Sequence, residues 1–357
     1  MISRVAEHCF WFGRYIDRAE STARLLQVTR TLVFDTDIPV TQCWKPLVIV
    51  SGEEPALIER YGADAAGDGE VVQSYMTWDA ENLVSLQSSV RAARENARVV
   101  RSVLSLEAWE EVNELYIWLI SEEAMRLYRE NREQFYRHVR KSTQLVLGLV
   151  RSTMLHDTPM SFLWLGVMLE RIGQTARTLD MHHHTMSLER NLDGSHQIVE
   201  VALWLSLLRA CSGYEAFVKK SQGRATAKAV AGFLVFDRQF PRSLRYCLKA
   251  ARRIVTDIWP EAAAGGTGEK SYGRVSALAD WLDGREASFT PAALHGVLTR
   301  IVDETSMACS SVTEEMLGPQ RAHRPSESDG AAKPAAGKPP LKLVAGGQTQ
   351  GQDLGEG

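Results

Sequence analysis

Two short stretches put a carboxylate beside a guanidinium, with an indole and a second arginine at helical spacing. In the first, Trp11, Gly13, Asp17, Arg18, Thr22 and Arg24 recur at intervals of four and seven. In the second, Trp164, Gly166, Glu170, Arg171, Thr175 and Arg177 do the same. Residues four or seven apart on a helix lie on one face, so each stretch offers an acid, two arginines and an indole from adjacent rows. Arginine's planar fork suits carboxylate or phosphate, and tryptophan can stack on it. Two readings follow. The groups either line a polar cleft for an anionic or zwitterionic ligand, or they pair with each other to fix the packing register between helices. A third gives Glu170 the role of general base beside Arg171 and Arg177 on an amino-acid-like substrate.

The elements that carry these groups repeat. Phe10 to Leu26 and Leu163 to Leu179 share Trp, Gly, Arg, Thr, Ala, Arg and Leu in the same order, with Asp17 answered by Glu170. Ser89-Val90-Arg91 with Ala97-Arg98 is set beside Ser243-Leu244-Arg245 with Ala251-Arg252, and Tyr75 and Asp79 beside Phe233 and Asp237. Self-similarity of this kind predicts a duplicated helical unit, with pseudo-repeats at about 1–155 and 156–317. Ser3 caps a helix predicted over Arg4 to about Phe34, and Asp35, Asp37 and Pro39 end it. Further amphipathic helices are expected from Ser85, Ser105 and Ser121, over 130–154, over the second copy to about Met186, and near 272–282 and 291–317. No stretch alternates as a strand does. The fold class is all-α, with the repeats packed as one bundle domain. From Gly318 to Gly357 the chain turns to Pro, Gly, Ala, Ser and Gln, which predicts a disordered tail.

A second charged cluster, Arg91, Arg94, Glu95, Asn96 and Arg98, is mirrored in part by Arg245 and Arg252, which adds Arg91, Arg98 and Arg245 as ligand-binding candidates beside the ordinary reading of a solvated face. Other motifs fail on geometry. His182-His183-His184 cannot chelate one ion, because consecutive helical residues point about 100° apart. Asp180 with His183 and Asp193 with His196 are the nearest approaches to a bundle metal motif, and the expectation is no metal and no cofactor. Gly265 to Ser271 resembles a phosphate loop, but Glu269 interrupts the Gly-Lys-Ser order, which leaves a flexible connection.

The 357 residues carry a net charge of -3 with 45% hydrophobic residues, a balance that suits a globular chain and disfavours a nucleic-acid binder. Five scattered cysteines without a C-x-x-C pair suit reduced core thiols. The start of the chain has no apolar signal segment, and the runs 145–150 and 201–208 are too short to cross a bilayer. The expectation is a cytoplasmic protein.

The blocks RVAEHCFWFGRYIDRAESTARLL, SVRAARENARVVRSVLSLEAWEEVNELY, FLWLGVMLERIGQTARTLD and LLRACSGYEAF with FLVFDRQFPRSLRYCL resemble the bacterial alpha-E family, a helical domain named for its Glu-Arg motif. The resemblance covers nearly all of residues 1–317. It places the motif on Glu170-Arg171, with Asp17-Arg18 a shortened first copy. It implies partnership with circularly permuted ATP-grasp proteins, encoded beside or fused to such domains and often near transglutaminase-like proteins. ATP-grasp enzymes join carboxylates to amines through an acyl phosphate. The implied role is therefore that of an accessory protein in peptide or amide-bond formation or modification. The chain is not expected to turn over substrate alone. A purely structural scaffold and an enzyme in its own right are the alternatives.

Overall fold

Serine, threonine, aspartate and asparagine start most of the helices. In the computed structural model, which describes residues 3–189, 196–221 and 225–317, Ser85, Ser105, Ser121 and Ser243 each accept a hydrogen bond from the backbone N–H three residues on. Asp68, Asn131 and Thr226 do the same work at other starts. The described residues hold fifteen α-helices and no strand. They are α1 (Ser3–Asp35), α2 (Val40–Ser51), α3 (Glu54–Tyr61), α4 (Gly69–Trp78), α5 (Leu86–Val99), α6 (Leu106–Leu119), α7 (Glu122–Glu130) and α8 (Arg132–Thr153). Then follow α9 (Thr158–Glu189), α10 (His196–Ala210), α11 (Tyr214–Ser221), α12 (Ala227–Phe236), α13 (Leu244–Ile258), α14 (Glu269–Asp283) and α15 (Leu294–Leu317). All fifteen belong to one packed unit. The tail expected from Gly318 lies outside the described residues, as does Asp193.

α1 and α9 form the axis of the molecule, and both are enclosed. Each packs on the other. α5 and α8 lie against α1, and α13 and α15 lie against α9. α6 joins α5 to α8 as α14 joins α13 to α15. One apolar core surrounds Phe10, Phe12, Leu163, Leu169 and the second-half helices. A second surrounds Leu26, Trp44, Tyr75, Phe135 and Tyr136. α1 is therefore enclosed along its polar rows as well as its apolar one. Asp17, Glu20, Arg24 and Gln27 are buried as well as Phe12, Ile16, Ala23 and Leu26.

Two glycines let the axis close. A methyl built on Gly13 would overlap the carbonyl oxygen of Leu163, and one built on Gly166 would overlap that of Phe10. Only hydrogen at Cα permits backbones to meet this closely.

Two start motifs match in detail. Asp79 Oδ1 accepts from Glu81 and Asn82 N–H before Ser85, whose hydroxyl donates to the Asp79 carbonyl. Asp237 Oδ1 accepts from Gln239 and Phe240 N–H before Ser243, whose hydroxyl donates to the Asp237 carbonyl. Ser243 thus occupies the place of Ser85. Ser89, set beside it on sequence, lies one turn inside α5. Counted from these start motifs, Arg91 and Arg245 stand at different distances from the beginnings of their helices.

α2 contains Pro46 in its interior. Proline leaves the carbonyl four residues earlier without its helical donor. Here that carbonyl is on Gln42, and the Thr185 hydroxyl of α9 reaches it at 3.5 Å.

Candidate functional site

The Glu-Arg and Asp-Arg dipeptides exchange partners across the axis. Arg18 donates to Glu170 through Nε at 2.8 Å and Nη2 at 3.0 Å. Arg171 donates to Asp17 Oδ1 through Nη2 at 2.7 Å and Nε at 3.1 Å. Successive residues on a helix point about 100° apart, so each dipeptide sends its acid and its base to different sides. The result is two ionic clusters rather than one pooled site.

The first cluster centres on Glu170, which is 2% exposed. Besides Arg18, it accepts from Arg14 Nε at 3.0 Å and from Gln174 Nε2 at 3.0 Å. Arg177 stands 4.0 Å away with 30% of its side chain exposed. Burial alone would raise the Glu170 pKa, but the charges of Arg18 and Arg14 outweigh it and hold the carboxyl well below the usual range. Burial, with Arg18 and Arg14 nearby, lowers that of Arg177, and Glu170 opposes the shift. Trp11 supports this cluster from outside, with the Arg14 guanidinium 4.7 Å from its ring centre.

Three guanidiniums share one carboxylate, and they open onto a cavity of about 180 Å³ lined by Arg14, Arg18, Gln174 and Arg177. The Thr22 and Thr178 side chains flank them, and Leu25, Leu47, Met76 and Val84 make an apolar wall. A surplus of positive charge faces a short apolar slot. That arrangement can take a small ligand with an anionic head and an apolar body.

The second cluster holds Asp17, Glu20, Arg24, Arg171 and Arg242. Arg24 donates to Glu20 one turn before it, and Arg242 reaches the other Glu20 oxygen at 2.7 Å. Burial would raise the Glu20 pKa, but Arg242 and Arg24 bring it down to about 2. Asp17 is fully buried. These pairs lock α1, α9 and the turn before α13 together, which is the structural role weighed for the motif on sequence.

The remaining candidates lie elsewhere. Trp164 is half-buried beneath the Arg151 guanidinium, 4.5 Å from its ring centre. Arg91 is exposed on α5, and Arg98 is exposed and pairs with Glu95 at 2.7 Å. Arg245 is buried against Asp283 at 2.7 Å and Glu286 at 2.6 Å, tying α13 to α14. The stretch at Gly265 is not a loose connection. Gly265 and Gly268 adopt left-handed backbone, and the Lys270 and Ser271 N–H groups donate to Glu315 at 2.9 and 3.1 Å. The chain's own carboxylate fills the place a phosphate would take.

Four members of the ionic clusters escaped the sequence analysis. Arg14 precedes Arg18 by a turn, Gln174 follows Glu170 by a turn, and Glu20 precedes Arg24 by a turn, so their spacing was a usable signal. Arg242 carried none, since only the fold brings it to Glu20. The metal question also changes. Asp180 and His183 of α9 meet His295 of α15 with potential ligand atoms all within 4.8 Å, and His295 Nδ1 is 2.8 Å from Asp180 Oδ1. Two imidazoles and a carboxylate could hold a first-row metal ion. The sequence pairs Asp180 with His183 but gives no sign of His295, which only the fold brings to them; His182 of the same run is buried and bonded to the Thr178 carbonyl at 3.0 Å. The His184 side chain lies outside the described residues.

A family model for "a predicted alpha-helical domain with a conserved ER motif" matches residues 1–317. The chain belongs to the Alpha-E family. Two Glu-Arg dipeptides fall wholly within the described residues. Glu59-Arg60 is exposed on α3, whereas Glu170-Arg171 spans both ionic clusters. The Alpha-E chain is also 28% identical over 278 residues to uncharacterized proteins of Mycobacterium bovis and of two Mycobacterium tuberculosis strains. The match takes 71% of this chain and 30% of each relative, so the chain spans about a third of the length of those proteins. No solved structure matches it. Among the described residues no single helix is long and apolar enough to cross a membrane.

Proposed function

We propose that this Alpha-E protein binds the anionic group of an amino-acid or peptide substrate at the Arg14, Arg18 and Arg177 face, as a cytoplasmic accessory to an ATP-grasp ligase. The observation that carries the binding role is the cavity whose polar end holds three guanidiniums on a single carboxylate. The apolar wall accommodates one aliphatic side chain. The ligase connection rests on family resemblance and is supported by the length of the relatives, in which the matching part is joined to a larger remainder. The matched start motifs and the reciprocal axis contacts support reading the chain as a tandem duplication of a helical unit.

A general-base role for Glu170 is disfavoured. Both its oxygens already accept hydrogen bonds from arginine, and a carboxylate held far below the usual pKa is a weak base. The scaffold reading suits Asp17 and Arg171, which face no cavity described above.

Two measurements test the proposal in separate parts. N-acetyl-leucine should raise the melting temperature of the wild-type chain and leave Arg177→Gln unmoved; equal responses would remove the binding role. Co-purification with an ATP-grasp protein encoded beside it, followed by ADP release with mixed amino acids, tests the ligase connection. Turnover should need both chains. Turnover by either chain alone, or no complex, would remove the accessory role.

A further inference from the structure

Arg24, the first-copy counterpart of Arg177, lines a different and larger cavity of about 680 Å³. α1, α8, α10 and the start of α11 enclose it. We infer that this cavity is a second anion site, taking a carboxylate- or phosphate-bearing ligand larger than a single amino acid, with its anionic oxygens between Arg24 and Arg140.

Three features of the cavity point to a ligand. Arg24, Arg140 and Arg209 all line it. Arg24 and Arg140 are close enough to repel: burial lowers the Arg140 pKa and the charge of Arg24 lowers it further. An anion between them would relieve that repulsion. Second, polar atoms in the wall lack partners. Among the described residues Arg140 Nε, Ser206 Oγ and Ser212 Oγ are buried without a hydrogen bond, and Ser206 is only 5% exposed. Buried donors of this kind are normally satisfied, and a bound oxyanion would accept from all three. Third, Ser212 takes the left-handed position after α10, with φ 53°, where glycine is the usual residue. The Gly213 N–H bonds back to the Leu208 carbonyl at 2.7 Å and closes the turn. A serine at that position places a hydroxyl on the cavity that glycine would not supply.

The carboxylates nearby offset this charge only in part. Glu20 pairs with Arg24 but is shared with Arg242, so two guanidiniums lean on one carboxylate, and the Gln27 side chain lies between Arg140 and Glu133. Asp35 and Glu215 also line the cavity. They could receive an ammonium or hydroxyl on the same ligand.

This inference does not rest on the smaller cavity, and the two are separable. The test is calorimetry on the full chain with two probes in separate titrations, inorganic pyrophosphate and the dipeptide Glu-Glu. At least one should bind with a submillimolar Kd, and the stronger identifies phosphate or carboxylate as the preferred group. Arg140→Gln should weaken that probe at least about tenfold, the loss expected for one charge-assisted contact. Ser206→Ala removes one oxygen and leaves the fold intact, and should weaken it about threefold. Arg177→Gln, in the other cavity, should leave it within about twofold. Binding of neither probe, or binding unchanged in both Arg140→Gln and Ser206→Ala, would overturn the site.

Discussion

The guanidinium of Arg18 holds the carboxylate of Glu170 through two hydrogen bonds, while their chain neighbours Asp17 and Arg171 pair with each other. Among the described residues, Glu170 is therefore the one carboxylate paired with the three guanidiniums of its cluster. Glu170→Gln should destabilise the protein by about 2–4 kcal/mol, because it leaves three half-buried guanidiniums without their carboxylate. Glu59→Gln, in the exposed Glu-Arg dipeptide, should change stability by less than about 0.5 kcal/mol. Urea unfolding of the two variants measures the contrast. Equal effects would mean that burial does not distinguish the two dipeptides.

The close approach of the axis gives a second expectation. Gly13→Ala and Gly166→Ala each put a methyl into a facing carbonyl. Each should cost about 1–3 kcal/mol, as overpacking does. Gly148→Ala on α8, where an added methyl meets nothing within 4 Å, serves as control and should be neutral or stabilising. Thermal melts of the three variants are sufficient.

Acid should lower the stability of the protein in two stages. Burial lowers the His182 pKa from 6.5 to about 4, so the unfolded chain takes up that proton first and stability falls as pH drops from 6.5 to 4. Glu20 is depressed from 4.5 to about 2 by Arg242 and Arg24, against the effect of burial, so its contribution persists above pH 4.5 and is lost towards pH 2. Each stage is on the order of 3 kcal/mol. His182→Gln should flatten the first stage and leave the second. Denaturant midpoints at pH 7.5, 5 and 3 follow both, and a first stage unchanged in His182→Gln would assign it to another group.

The thiols should be inert in the folded state. All five cysteines are buried, and burial pushes Cys9, Cys211 and Cys247 up to about 12. At pH 8 an aromatic disulfide reagent should react with all five only after denaturant is added. Rapid labelling of native protein would contradict the packing around them.

Much of this was legible in the sequence. Ser85, Ser105 and Ser121 announced the helices they cap, and the doubled Trp, Gly, Arg pattern announced that α1 and α9 are alike. What was not legible was which residue faces which. A helical row joined Asp17 to Arg24, yet Asp17 bonds to Arg171 and Arg24 to Glu20, because partner choice depends on how two helices cross. Arg242 reaches Glu20 from far along the chain, and His295 reaches Asp180 in the same way. Local periodicity carries no record of such meetings.

The swapped pairing has a consequence for any attempt to divide the molecule. Cut between α8 and α9, the chain would yield a front piece whose Arg18 has lost its acid and whose Asp17 has lost its base, with Gly13 left as an open notch. The rear piece would carry the complementary wounds at Glu170, Arg171 and Gly166. Neither piece could bury its α1 or α9 surface without recruiting a substitute. Fragments supplied together should reassemble, and the interface they restore would be the interior of the intact protein.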